Sequence, residues 1–293
     1  MTTSLHLKTP PDFNFKTAVY SHGWCQLLPF EIDLENWRLI YVFTGEKPVS
    51  AVISENGGAI EIDVSGDEIN PVTRDKILRD TRHILRLDDN LSEFYRLTEK
   101  EKRLAWVASL SGGRLLRSPT VFEDLVKTLC TTNCSWGLTK NMVRNLVEKL
   151  GAEVADGRHA FPTAEAMANV SEAFYRDEIR AGYRSPYFVE LAEQAASGKL
   201  NAEAWLDSDL PTAELKKEMK RVKGFGDYAA ENLLKLVGRY DGLALDSFLR
   251  GAFYKKHNSE QVCSDKEIEA FYGKFGSWRG LAIWCDMTEK WHD

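Results

Sequence analysis

The hydrophobic period of this chain changes once, and that change limits the folds open to it. In the first third, apolar residues recur every second position. Ile60, Ile62 and Val64 alternate with Glu61 and Asp63, the pattern of a half-buried strand. Trp37 to Phe43 is a run of β-branched and aromatic residues. Val49 to Ser54 and Ala59 to Val64 flank Asn56-Gly57-Gly58, and Asn-Gly supplies the positive φ angles of a tight hairpin turn. From Asn70-Pro71 the spacing becomes helical. Asn serves as N-cap, Pro takes the first helical position, and Ile77, Leu78, Ile84 and Leu85 line one face. Strands followed by a helix predict a small α+β domain over residues 1–104.

The remainder, 105–293, reads as helical almost throughout. Ser118-Pro119 opens a helix carrying Phe122, Leu125, Val126 and Leu129. Lys140 to Leu150 forms a second, stopped by Gly151. Thr163 starts a third after Phe161-Pro162, and Thr212 a further one after Pro211. Gly182-Tyr183-Arg184-Ser185-Pro186 reads as a loop. Ser264 and Glu267 form a capping box. The predicted class is α+β: an N-terminal antiparallel sheet domain with helices, then an all-α body. No run of about 18 apolar residues marks a membrane span. Met1 to Phe15 is polar with two prolines, unlike a signal peptide. The five cysteines are odd in number and scattered, which suggests reduced thiols in a cytoplasm. Cys130 and Cys134 could share a helix face, but two ligands make no zinc site, so they read as small buried hydrophobes.

The net charge of -6 argues mildly against a protein that coats nucleic acid by bulk charge. One window differs. Between Glu214 and Arg239, seven basic residues stand against four acidic ones. There, two apolar-periodic helices, spanning 215–238, are joined by Val222-Lys223-Gly224-Phe225-Gly226-Asp227. Two glycines in three residues let the backbone turn sharply and approach another molecule. Lys223 and the amides of Gly224, Phe225 and Gly226 would then meet an anion at a helix N-terminus, which suits a DNA phosphate. An ordinary connection between helices with surface lysines is the competing reading. Asp246 follows 20 residues after Gly226, between an apolar approach and an apolar helix.

These residues resemble the helix–hairpin–helix superfamily of DNA glycosylases. There a (Leu/Val)-x-Gly-x-Gly turn is followed, at about this distance, by a catalytic aspartate. Gly113-Arg114-Leu115-Leu116-Arg117-Ser118-Pro119, Cys130 to Ser135, Phe161-Pro162-Thr163 and Gly182-Tyr183-Arg184 match further family landmarks in order. The β-rich start resembles the family's N-terminal, TBP-like domain. The resemblance implies a monomeric enzyme of base-excision repair acting on double-stranded DNA that contains a damaged base, with no membrane partner. Such enzymes flip the nucleotide out of the stack before breaking the glycosidic bond.

Residue by residue, the resemblance makes Asp246 the carboxylate beside the sugar, and Asp246 also reads as a helix N-cap. Lyase members carry a lysine two residues after the second glycine. Tyr228 stands here, which implies a monofunctional enzyme with water as nucleophile and points to the alkylpurine (3-methyladenine) branch. Asn232, one turn on, and Trp278 are the other base-pocket candidates, Trp278 being equally readable as core. Asn133 matches the wedge that fills the gap left by the flipped base, or is a turn residue. Tyr183 and Arg184 match residues that read the orphaned partner base in 8-oxoguanine glycosylases, or lie in a surface loop. They pull towards an oxidised-purine enzyme, while Leu138 replaces that branch's second base-reading arginine. A third reading is a non-catalytic module that binds DNA structure. The family hairpin binds Na+ or K+ through main-chain carbonyls, here those of Lys220, Val222 and Phe225. No other cofactor is implied, and Cys263 and Cys285 are too few for an iron–sulfur cluster.

Overall fold

The computed structural model describes residues 2–66 and 69–292. Five antiparallel strands form one sheet: β1 (Thr2–Lys8), β2 (Glu31–Asp33), β3 (Arg38–Phe43), β4 (Val49–Asn56) and β5 (Ala59–Ser65), in spatial order β1-β5-β4-β3-β2. Ile60, Ile62 and Val64 are buried while Glu61 and Asp63 are not, as the alternation predicts. The hairpin turn differs in detail. Asn56 is the last residue of β4, paired with Ala59, and Gly57 and Gly58 supply the positive φ angles at +59° and +80°. β1 is an unforeseen strand. It pairs with β5 along its whole length, but as an edge strand it buries only Leu5.

The helix Pro71–Ile84, capped by Asn70, packs against β1 and buries Ile77, Asp80, Thr81 and Ile84. Helices then dominate. Val121–Thr131 begins at an N-cap on Thr120, whose hydroxyl accepts the Glu123 N–H at 3.2 Å, while the Ser118 N–H goes to Asp124 Oδ1 at 2.9 Å. Trp136–Leu150 starts earlier than Lys140, at an N-cap on Ser135. Gly151 ends it with φ at −75°. Its glycine is needed for space, since a Cβ there would lie 1.9 Å from the Ala160 carbonyl. Gly182–Arg184 forms a short 3₁₀ turn, not an open loop, and Ser185–Ala196 follows as a helix. The capping box of Ser264 and Glu267 is present.

One core cluster runs from Leu5 through the sheet into the helices as far as Val237. A second joins Leu91, Phe94 and Val107 to the C-terminal helices Asp265–Tyr272 and Arg279–Thr288. The two hairpin helices are Thr212–Met219 and Asp227–Leu236. The Arg86 guanidinium, 1% exposed, holds the second one from behind. It donates to the Lys235 and Leu236 carbonyls at 2.8 and 2.5 Å, to the Leu115 carbonyl at 2.6 Å, and to Asp89 at 2.7 Å. Arg117 adds a bond to the Leu236 carbonyl at 3.2 Å. The Leu236 carbonyl lies in the last turn, beyond reach of the helix's own N–H groups, the Lys235 carbonyl also accepts the Gly238 N–H at 3.1 Å, and cations suit the negative end of the dipole. Replacing Arg86 with Met should strand buried carbonyls and the Asp89 carboxylate, lowering unfolding free energy by roughly 3–5 kcal/mol. Urea denaturation checks this, and a loss near zero would remove Arg86 from the frame.

Candidate active site

Gly224 makes the hairpin turn possible for two reasons. Its φ is +87°, and a Cβ would lie 2.7 Å from Leu129 Cδ1 and 2.8 Å from Tyr187 Cδ2. Gly226 has ordinary φ and open space where a Cβ would stand. It caps Asp227–Leu236, whose first N–H groups have no intrahelical partner, the arrangement that suits an anion. Val222 and Phe225 are buried beneath the turn. The basic window is less free than its charge count suggests. Lys223 pairs with Glu190 at 2.5 Å, Lys220 with Asp227 at 3.1 Å, Arg221 with Glu218 at 2.7 Å, and Lys217 with Glu214 at 2.7 Å. Lys216 bridges Asp227 and Glu231. Arg239 donates to the Ser208 carbonyl, and Lys235 is buried.

Asp246 caps the helix Ser247–His257 as predicted, its Oδ1 accepting the Leu249 N–H at 2.7 Å. It stands on the wall of a cleft of about 1030 Å³ that also contains Tyr228, Asn232 and Asn133. Burial, followed by the Asp246 charge, pushes the Tyr228 phenol up to about 12. Asn232 lies one turn on, its amide donating to the Tyr228 carbonyl at 3.0 Å.

Much of the cleft wall was missed in the sequence. Tyr20, His22, Trp24 and Gln26 come from the N-terminal third, and Trp136, Phe248, Trp284 and Trp291 from later segments. Trp24 donates to Asp124 Oδ1 at 2.7 Å, Trp284 to the Ser21 carbonyl at 2.9 Å, and Trp136 to Gln26 at 3.0 Å. A Cβ at Gly23 would lie 2.4 Å from Trp136, so the walls meet closely there. A glycine between His22 and Trp24 was the local signal available. Cys130 is buried as expected, but Cys134 is half-buried and lines the cleft.

Two candidates change role. Trp278 is outside the cleft. Its ring stacks between Phe94 at 5.5 Å and Tyr240 at 5.4 Å, and its N–H donates to Glu93. Arg184 is 5% exposed. Its guanidinium lies 4.5 Å over the Tyr183 ring and donates to the Thr132 hydroxyl at 3.1 Å and to the Thr132 carbonyl. It braces the loop from within. Tyr183, half exposed, and Asn133, exposed with φ +47°, do come together, their side chains 3.4 Å apart.

No family model matches the sequence, and no curated protein matches it. Solved structures do. The 3-methyladenine DNA glycosylase from Archaeoglobus fulgidus superposes with a TM-score of 0.78 at 18% identity, over 99% of each chain. The Clostridium acetobutylicum 8-oxoguanine glycosylase/lyase in complex with dsDNA containing cytosine opposite 8-oxoG gives 0.75 at 22%, over 100% of this chain and 99% of that one. The likeness is one of fold: a five-stranded sheet followed by a helical body carrying the hairpin.

His22, buried in the cleft wall, donates through Nε2 to the Leu116 carbonyl at 2.5 Å. Burial lowers its pKa to about 4, so the fold favours the neutral ring. The stability this provides is complete above the unfolded value of about 6.5. It is lost as pH falls from there through about 4, a change of roughly 3 kcal/mol. The stability difference between wild type and His22→Gln should therefore shrink between pH 7 and pH 4. Denaturant titrations at each pH check this, and a constant difference would show that His22 does not titrate in that window.

Proposed function

We propose that this chain, which has the fold of the helix–hairpin–helix DNA glycosylases, is a monofunctional DNA glycosylase that receives a flipped, damaged base in the Asp246 cleft. One observation carries the reading: a carboxylate fixed as a helix cap on the wall of an aromatic-lined cleft that the hairpin helix also lines. As the glycosidic bond breaks, positive charge grows on the sugar. Asp246 would stabilise that charge and orient or deprotonate the attacking water. Tyr228 offers no amine for a Schiff base, so hydrolysis without strand cleavage follows. The aromatic walls suit an electron-poor base, which favours an alkylated purine. The phosphate backbone would be met by the turn amides of Gly224 and Gly226, the Phe225 N–H being taken by the Val222 carbonyl at 3.1 Å, and the emptied stack by Asn133 and Tyr183.

The Asn133–Tyr183 contact supports the second reading, an oxidised-purine enzyme, while buried Arg184 counts against it. A pure DNA-structure binder would have no use for a carboxylate in a cleft. A monovalent cation at the Lys220, Val222 and Phe225 carbonyls belongs to the same proposal. The Val222 carbonyl accepts the Phe225 N–H at 3.1 Å and keeps its second lone pair for an ion.

The test is a panel of duplex oligonucleotides, each with one lesion, scored for abasic sites with and without alkali. Release of alkylated purines, with breaks only after alkali, is expected. Release of 8-oxoguanine alone favours the second reading, and breaks without alkali remove the monofunctional claim. Asp246→Asn should lower release by at least about 100-fold while duplex binding persists, because Asn caps a helix as well as Asp. Near-normal release by that variant would sink the assignment of Asp246.

A further inference from the structure

We propose that Glu231 and Lys235 are positioning residues that grip one peptide unit, Leu243–Ala244, from its two edges and so set where Asp246 stands. This rests on the reading of Asp246 as the reacting carboxylate. The two residues are four apart on the second hairpin helix and lie side by side. Lys235 Nζ donates to the Leu243 carbonyl at 2.9 Å, and Glu231 Oε2 accepts the Ala244 N–H at 2.6 Å. That carbonyl and that N–H belong to the same planar peptide, pointing in opposite directions. Holding both ends fixes the plane, and Asp246 follows two residues later.

Three further observations show that the grip is built. Ala244 is held at φ +53°, a conformation that a residue with a Cβ rarely adopts. Gly242 presses against the grip, since a Cβ there would lie 2.6 Å from Glu231 Cγ. Lys235 is 2% exposed, and burial pushes its amine down to about 8 against the opposing pull of Glu231 and Asp246. An apolar side chain would fill that space without desolvating a charge, so the amine is retained against its own burial penalty.

Other contacts hold the linker on its far side. The Gly280 N–H donates to the Tyr240 carbonyl at 2.8 Å, and Arg279 Nε donates to the Asp241 carbonyl. Glu231 is itself fixed by Lys216 Nζ of the first hairpin helix at 2.5 Å. A continuous set of contacts thus runs from the hairpin, through Glu231 and the gripped peptide, to Asp246.

The test uses the full chain and the duplex released most readily in the lesion panel, with variants Glu231→Ala, Glu231→Gln and Lys235→Met. Glu231→Ala and Lys235→Met should lower the single-turnover release rate by about 100-fold with duplex affinity unchanged, as a misplaced reacting group does. Glu231→Gln keeps an oxygen for the Ala244 N–H and should stay close to wild type. Amide exchange at Ala244 should accelerate in Glu231→Ala and not in Glu231→Gln. A folded Glu231→Ala protein that releases base at the wild-type rate overturns the proposal. So does loss of rate only in step with loss of duplex affinity. If wild type releases no base from any duplex, the enzymatic reading fails by itself. The grip is then decided by Ala244 exchange and by a crystal structure of Glu231→Ala, in which an unmoved Asp246 carboxylate refutes it.

Discussion

The geometry of the cleft depends on a buried cation at the wrong end of the helix to touch a ligand. Arg86 is almost wholly enclosed, and its guanidinium meets the C-terminal carbonyls of the second hairpin helix. Arg117 joins it, and burial together with Arg86 holds the Arg117 guanidinium down to about 10. Such crowding of like charges is tolerable only because carbonyls and Asp89 surround it. The helix is thereby locked to the segment that follows the sheet, and its opposite end stays open. Tyr228, Glu231, Asn232 and Lys235 all ride on this one helix, so each inherits its placement from that anchor.

The cleft walls show the same division between what faces inward and what fixes it from behind. Trp24 presents its ring to the cleft while Asp124 holds its N–H, and burial pushes the Asp124 carboxyl up to about 6. The Ser21 carbonyl likewise holds Trp284. Large flat rings whose polar edges are tied behind the wall lose little freedom when something stacks on them. Residues from five separated stretches of sequence meet here, which is why the two core clusters and the sheet matter to the site at all.

What the sequence revealed was local. The alternation in Ile60 to Val64, the capping box at Ser264, the Gly224 turn and the cap at Asp246 all depend on neighbours within a few residues. What it concealed was pairing over distance. Arg184 matches a residue that reads the partner base in the family it resembles, but its guanidinium is spent on Thr132, 52 residues away. Trp278 sits in a segment that resembles a pocket wall, yet Phe94 and Tyr240 claim both its faces. Strand β1 has only Leu5 buried, so its alternation was too faint to notice. The wall residues Tyr20 to Gln26 carry no spacing that announces a site. Only the return of the helical body against them makes one.

The paired hairpin lysines have a consequence for how this surface would take up and let go of a polyanion. A phosphate met by a free lysine sheds its own condensed counterions to bulk, and that release supplies much of the affinity. Here Lys217, Lys220, Arg221 and Lys223 already hold carboxylates of the protein itself. An arriving phosphate swaps one tethered anion for another, and the displaced carboxylate stays close enough to swap back. Contacts of that kind exchange quickly, so a polyanion could shift along this surface without first leaving it.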